Sequence, residues 1–187
     1  MKDNKESKSQ VFHSYCLYPK VDFPSREDGE EVVLILRAHP ITQIFWVLNG
    51  FILFITLLIL NFFFPKLFNF YQIFFLNLFF LGIILSYCWF NFLNWFFNVG
   101  IITNKKIVDI DFYGVIYKEV TMAKLNKVED ITSKTGGYIQ SLFNFGNVFV
   151  QTAGTEVNIE FINIPQPSKV VALINDLLGK KHYGADN

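Results

Sequence analysis

The middle of this sequence is almost without charge. Across residues 38–104 there is no Asp, Glu or Arg, and one Lys, Lys66. That gap argues against a solvated surface there, because a soluble fold needs charged side chains facing water. Net charge is missing too: the 187 residues sum to zero. With no basic field to hold a polyanion, no nucleic-acid partner is expected. Cysteine is scarce. Cys16 lies in a polar tail and Cys88 in an apolar run, which argues against a disulfide between them. The three histidines, His13, His39 and His182, are far apart, and none has the His-x-x-x-His spacing of a metal site. No Gly-Lys-Ser/Thr follows Gly136, Gly137 or Gly146, so no phosphate loop is present. Residues 1–10 are polar, with no apolar segment of the kind a cleavable signal needs. No cofactor, metal or enzymatic activity is expected from these absences.

What fills the gap is two apolar runs, at residues 41–64 and about 70–93. A hydrocarbon core about 30 Å thick takes roughly 20 helical residues at about 1.5 Å each. Both runs meet that length, and Pro65-Lys66-Leu67 is a short turn between them. The expectation is a transmembrane helical hairpin. Arg37, Lys105 and Lys106 flank it on one side against Lys66 in the turn, which places both termini in the cytoplasm. Asn49, Asn61, Asn77 and Asn91 punctuate the spans. Such amides pair between helices in lipid. The alternative is that they line a solute path, making the chain an oligomeric channel or transport-accessory subunit.

The remainder divides around the hairpin, which occupies 38–94. Residues 1–30 form a polar tail, interrupted by an apolar patch at 11–18, and 25–29 suggests a solvated turn. Residues 31–37 are β-branched and bounded by charge, as in a strand buried on both faces. Asn94–Thr103 is expected to leave the membrane, with Trp95 in the aromatic belt and 97–103 as a first strand. Short strands follow. Val108, Ile110 and Phe112 alternate with Asp109 and Asp111. Strands are also expected at 115–122, 128–135 and 147–152, with 123–127 a polar connection. Ala153-Gly154-Thr155 suggests a hairpin turn before Val157, Ile159 and Phe161, which alternate with Glu156, Asn158 and Glu160. The period then changes. Val170, Val171, Leu173, Ile174, Leu177 and Leu178 trace one face of a helix. Ser168 is its expected N-cap and Gly179 its end, with a tail at 180–187.

Several pieces carry a resemblance: Ile101-Ile102-Thr103-Asn104-Lys105-Lys106-Ile107, then Leu125-Asn126-Lys127-Val128-Glu129-Asp130-Ile131. Gly137-Tyr138-Ile139-Gln140-Ser141-Leu142-Phe143-Asn144-Phe145-Gly146-Asn147-Val148 follows, then Gln151-Thr152-Ala153-Gly154 and a closing Ile164-Pro165. In this order, behind two apolar spans, the chain resembles the bacterial pleckstrin-homology-like family of membrane proteins. The resemblance implies a two-helix transmembrane hairpin followed by an all-β barrel or sandwich over 95–179, capped by a C-terminal α-helix. It implies seven strands where six are legible after the spans, and the strand at 31–37 is the candidate for the seventh. It implies a binding module in the bacterial cytoplasmic membrane, without catalysis, whose partner is a protein, a second copy of the chain or an anionic lipid headgroup.

Two surfaces could carry that binding. Lys105 and Lys106 sit in the turn between the first two strands, where related folds meet phosphorylated headgroups. Their plainer role is to fix topology, since Lys118, Lys124, Lys127 and Lys134 are scattered among acids. Tyr138, Leu142 and Phe143 lie on a short segment between glycines. That segment either plugs the barrel with Leu142 and Phe143 or stands out as a partner-binding loop. Glu129 and Asp130 are the best carboxylate pair, but neighbours on a strand face opposite ways, so they are expected as surface charges.

Overall fold

The computed structural model describes residues 13–19, 27, 29–114, 117–153 and 158–184. The apolar patch at 11–12, most of the turn at 25–29, the turn at 154–155 and Val157 lie outside them. Chain order begins with β1 (Tyr15–Leu17) and β2 (Val32–Leu36). A 3-10 turn at Pro40–Gln43 leads into helix α1 (Ile44–Phe63). A second 3-10 turn, Phe64–Lys66, holds Pro65, whose missing N–H cannot continue the α ladder. Helix α2 (Phe70–Phe97) then returns, its start closed by the Asn69 N–H donating to Gln72 Oε1 at 2.9 Å.

The two helices pack in antiparallel register. Asn61 and Asn77 exchange amide hydrogen bonds of 2.6 and 2.7 Å. Gly50 meets Cys88, whose sulfur would lie 2.9 Å from an added Cβ. Both helices satisfy length and hydropathy for a membrane crossing. Few of their side chains are covered: Gly50 and Leu57 are the buried residues of α1, and α2 has none. Phe62 and Phe70 are 76% and 78% exposed. α2 runs further than expected, since Asn94 to Phe97 remain helical and the strand starts at Val99. The last turn persists because one of its end carbonyls is satisfied and one of its side chains is anchored: Arg37 Nε donates to Phe96 O at 3.1 Å, and Trp95 Nε1 donates to Ala38 O, outside the helix, at 2.9 Å.

Beyond α2 come β3 (Val99–Thr103), β4 (Lys106–Tyr113), β5 (Tyr117–Lys124) and β6 (Val128–Lys134). Helix α3 (Gly137–Phe143), β7 (Phe145–Thr152), β8 (Ile159–Pro165) and α4 (Pro167–Gly184) complete the order. The strands form two antiparallel sheets, β1-β2-β3-β4-β5 and β6-β7-β8. Of the two expected forms the barrel is therefore corrected and the sandwich stands: two stacked sheets of five and three strands, with no ladder between β5 and β6 among the described residues. The candidate strand before the hairpin exists: Leu34 pairs with Ile102 and Leu36 with Gly100. All five of its residues are buried. A further strand, β1, extends the sheet, pairing Cys16 with Ile35.

The core lies between the sheets and under α4. Leu34, Leu36, Ile102, Ile107, Val148, Val150, Ile159, Phe161, Val170 and Ile174 meet there. A smaller cluster, including Cys16, Ile35, Ile101 and Val108, covers the other face of the large sheet. β4 is therefore lined on both faces, and Ile107 shares the inner face with Asp109 and Asp111. Residues 123–127 are not a polar connection: β5 reaches Lys124, and Ala123 and Leu125 are buried at the corner between the sheets. The Leu125 N–H donates to Lys105 O at 3.0 Å and fixes that corner. α4 begins at Pro167, so Ser168 sits in its first turn rather than at the N-cap. Pro suits that position, where its N–H would go unused. The helix also passes Gly179 and runs to Gly184, since one internal Gly costs a helix only about 1 kcal/mol.

Candidate interaction surface at the hairpin–domain junction

The helices and the sheets meet at one end of the domain, and several contacts hold them. Arg37 is buried, and its guanidinium lies 5.1 Å from the centre of the Phe96 ring. With its bond to Phe96 O, it places a cation at the carbonyl end of α2, where the helix dipole favours one. The Asn98 side chain accepts from the Phe112 N–H at 2.6 Å, and Phe97 packs on Phe112 with ring centres 5.3 Å apart. The small sheet joins through His39. Its N–H donates to Asn163 O at 2.7 Å, and its ring stacks on Phe145 at 5.3 Å. Burial pushes the His39 pKa down. That suits Nδ1 accepting from the Ile41 N–H at 3.2 Å, which requires a neutral ring at that nitrogen.

Beside these contacts a cleft of about 310 Å³ opens between the sheets, lined by Asp109, Asp111, Asn98, Phe161 and Asn163 among others. Burial raises the Asp109 pKa to about 7, helped by the Asp111 and Glu119 charges and opposed by a hydrogen bond from the Ile110 backbone. Burial and Glu119 push Asp111 up as well. A raised carboxyl keeps its proton in the fold after the unfolded chain has lost it. The contribution of Asp109 to stability is full below about pH 4 and is lost as pH rises through about 7. Asp109→Asn should therefore leave stability near that of the parent at about pH 4 and raise it at pH 8. A gain of about 1–2 kcal/mol is expected, allowing for partial solvent screening. Thermal unfolding in mild detergent at the two pH values checks this, and equal curves at pH 8 would contradict it.

Lys105 and Lys106 lie at the opposite end of the domain. β3 leaves the junction at Val99 and ends at Thr103, about 13 Å away at strand rise, and the two lysines follow within three residues. Their charges meet acids. Lys106, with its side chain 10% exposed, sits 3.2 Å from the fully buried Glu30 and 4.0 Å from Glu27. Lys105 lies 3.7 Å from Glu27. Glu30 also accepts from Thr103 Oγ1 at 2.7 Å and from the Glu27 N–H at 2.8 Å. Burial alone would raise its pKa, but these hydrogen bonds and the Lys106 charge outweigh it and hold the carboxyl below its usual range. The sequence offered no signal for this pairing, because Glu30 and Lys106 are far apart in the chain.

Helix α3 stands out from the domain rather than plugging it. Tyr138 is 97% exposed, Leu142 78% and Phe143 44%, and Ile139 is exposed beside them. The plug reading fails because β8 and α4 already fill the space with Phe161, Val170 and Ile174. The helix is held through its polar residues. Gln140 accepts from the Gly136 N–H at 2.6 Å and reaches Asn163 Oδ1 at 3.3 Å, while Asn144 ends it in the left-handed conformation. Glu129 and Asp130 are both exposed, next to a bulge in β6. Among the described residues no three His, Cys, Asp or Glu side chains gather as a metal site. Neither Cys16 nor Cys88 is in a disulfide.

Two stacked antiparallel sheets with a C-terminal helix, carried on a pair of long apolar helices, define a PH-like architecture. The chain belongs to the bacterial PH domain family, whose profile matches residues 41–178. That match takes in both long helices as well as the sheets. No curated protein and no solved structure matches the chain.

Proposed function

We propose that the chain is a membrane-anchored, non-catalytic interaction module, held at the cytoplasmic face of a bacterial membrane by its helical hairpin. The observation that carries this reading is the exposure of the hairpin. Helices of this length and hydropathy are covered in a soluble protein, yet here only Gly50 and Leu57 are buried and most of the other side chains are open. Apolar surface on that scale is not left to water. Lipid is the solvent that suits it. The flanking charges, Arg37 with Lys105 and Lys106 against Lys66, favour cytoplasmic termini.

Binding is assigned to a protein partner rather than to a headgroup at Lys105 and Lys106, whose charges are matched by Glu27 and Glu30. Tethering supports weak recognition, since confinement to a surface raises local concentration. The channel reading gains little from the amides, because Asn61 and Asn77 satisfy each other and Asn91 bonds the Tyr87 carbonyl.

Reporter fusions at the C-terminus test the orientation. A green fluorescent protein, which matures in the cytoplasm, should be bright, and alkaline phosphatase, which needs export, should be inactive. An active phosphatase would overturn the assignment.

A further inference from the structure

The hairpin and α3 share a level, and that level decides what covers α3. The helix pair is in register at Asn61–Asn77 and Gly50–Cys88, which sets Ile44 opposite Asn94. Twenty residues of α1 span about 30 Å, the thickness of the hydrocarbon core. Trp95 to Phe97 and the turn at Pro40–Gln43 then fall in the headgroup zone. His39 is the residue before that turn. It bonds Asn163 and stacks on Phe145, and Phe145 follows α3 after a single residue. Gln140 of α3 reaches the same Asn163. α3 therefore leaves the domain at the depth where the chain enters the membrane.

Its composition fits that depth. Tyr138, Ile139, Leu142 and Phe143 follow the one-face spacing of a helix and are all exposed. Gln140 is half-buried and bonds Gly136 and Asn163, while the exposed Ser141 bonds back to the Gly137 carbonyl of its own helix. Short amphipathic helices with aromatic and aliphatic side chains on one face bind the boundary between headgroups and acyl chains.

We infer that α3 is a third membrane contact: its Tyr138, Leu142 and Phe143 face dips into the cytoplasmic interface beside the hairpin and fixes the tilt of the domain. The contact is with lipid, and a protein covering the same face is the competing outcome. This inference rests on the membrane-anchored reading.

Spin labels on single-cysteine versions of the full chain test it, in a Cys16→Ser, Cys88→Ala background reconstituted in phosphatidylglycerol/phosphatidylethanolamine nanodiscs. Ile52→Cys marks the centre of α1, Asn126→Cys the far end of the domain and Leu142→Cys the α3 face. Power saturation compares molecular oxygen, which concentrates in lipid, with a nickel chelate, which stays in water. The ratio of oxygen to nickel accessibility at Leu142 should exceed that at Asn126 several-fold and approach that at Ile52. A water-like Leu142, or one shielded from both agents, beside a lipid-like Ile52 overturns the α3 contact and leaves the anchor standing. A water-like Ile52 overturns both.

Discussion

Glu30→Ala should cost about 3 kcal/mol or more of domain stability, because it strips a nearly buried ammonium of its nearest partner. Lys106 would keep Glu27 at 4.0 Å, but the 3.2 Å contact to Glu30 would go, and with it the bonds from Thr103 and Glu27. The penalty is that of a buried charge left poorly compensated rather than the worth of the pair. Replacing both partners by apolar side chains of similar size should therefore recover most of the loss. The expected order of stability in urea unfolding is parent and Glu30→Leu/Lys106→Met at the top, with Glu30→Ala well below. A double variant no better than the single would contradict the desolvation account. pH separates the roles further. A carboxyl held below its usual range contributes stability above its unfolded pKa and loses it as pH falls through the folded one. The gap between parent and Glu30→Ala should accordingly narrow in acid. Asp109 runs the other way, losing its contribution as pH rises, so the domain is pulled from both ends of the pH range.

Gly100→Val should be comparably damaging, for a steric reason. Gly100 sits where β3 crosses under the Phe161 ring, and a Cβ there would meet ring atoms at 2.4 and 2.8 Å. Phe161 is 3% exposed and has core neighbours on its other side. Forcing atoms into a packed core costs about 1–3 kcal/mol or more. Here the cost falls at the contact between the two sheets, one residue after the strand leaves the hairpin. Pairing the change with Phe161→Leu, which frees ring volume, should restore part of the loss. Full stability in Gly100→Val alone would mean that the sheets do not approach as described.

How much of this was legible follows from which forces act locally. The hairpin was plain because hydropathy and length are local properties, and Pro65 marks its turn without help from the fold. The alternation of Val148 and Val150 named β7, and the stripe from Val170 to Leu178 named α4. Boundaries were lost where tertiary contacts override the local signal. Arg37 caps the last turn of α2 from outside, past the expected exit, and Trp95 within that turn is anchored to the Ala38 carbonyl. Leu125 turns an apparently polar connection into a buried corner. The alternation in β4 marked the face of Val108 and Ile110 as the dry one, and that face holds the smaller cluster, but the opposite face, with Ile107, lines the main core.

The site was half legible. Lys105 and Lys106 drew notice as charge, yet their acids come from a segment more than seventy residues earlier, beyond any local pattern. Tyr138, Leu142 and Phe143 were singled out, but composition favoured a plug over a projection. Only the filled core beneath them decides it. β2 was the most instructive residue run: its burial on both faces was written in Val32 to Leu36, and its pairing with β3 carries the chain back onto the domain before it enters the hairpin.

The central claim is that lipid is the medium around α1 and α2. Alkaline carbonate washing of cell membranes followed by ultracentrifugation tests it most directly, because it strips proteins held by charge or partners and leaves those embedded in the bilayer. The full chain should stay with the pellet and be released only by detergent. Recovery in the carbonate supernatant without detergent would contradict the account, and with it the placement of the domain and of α3.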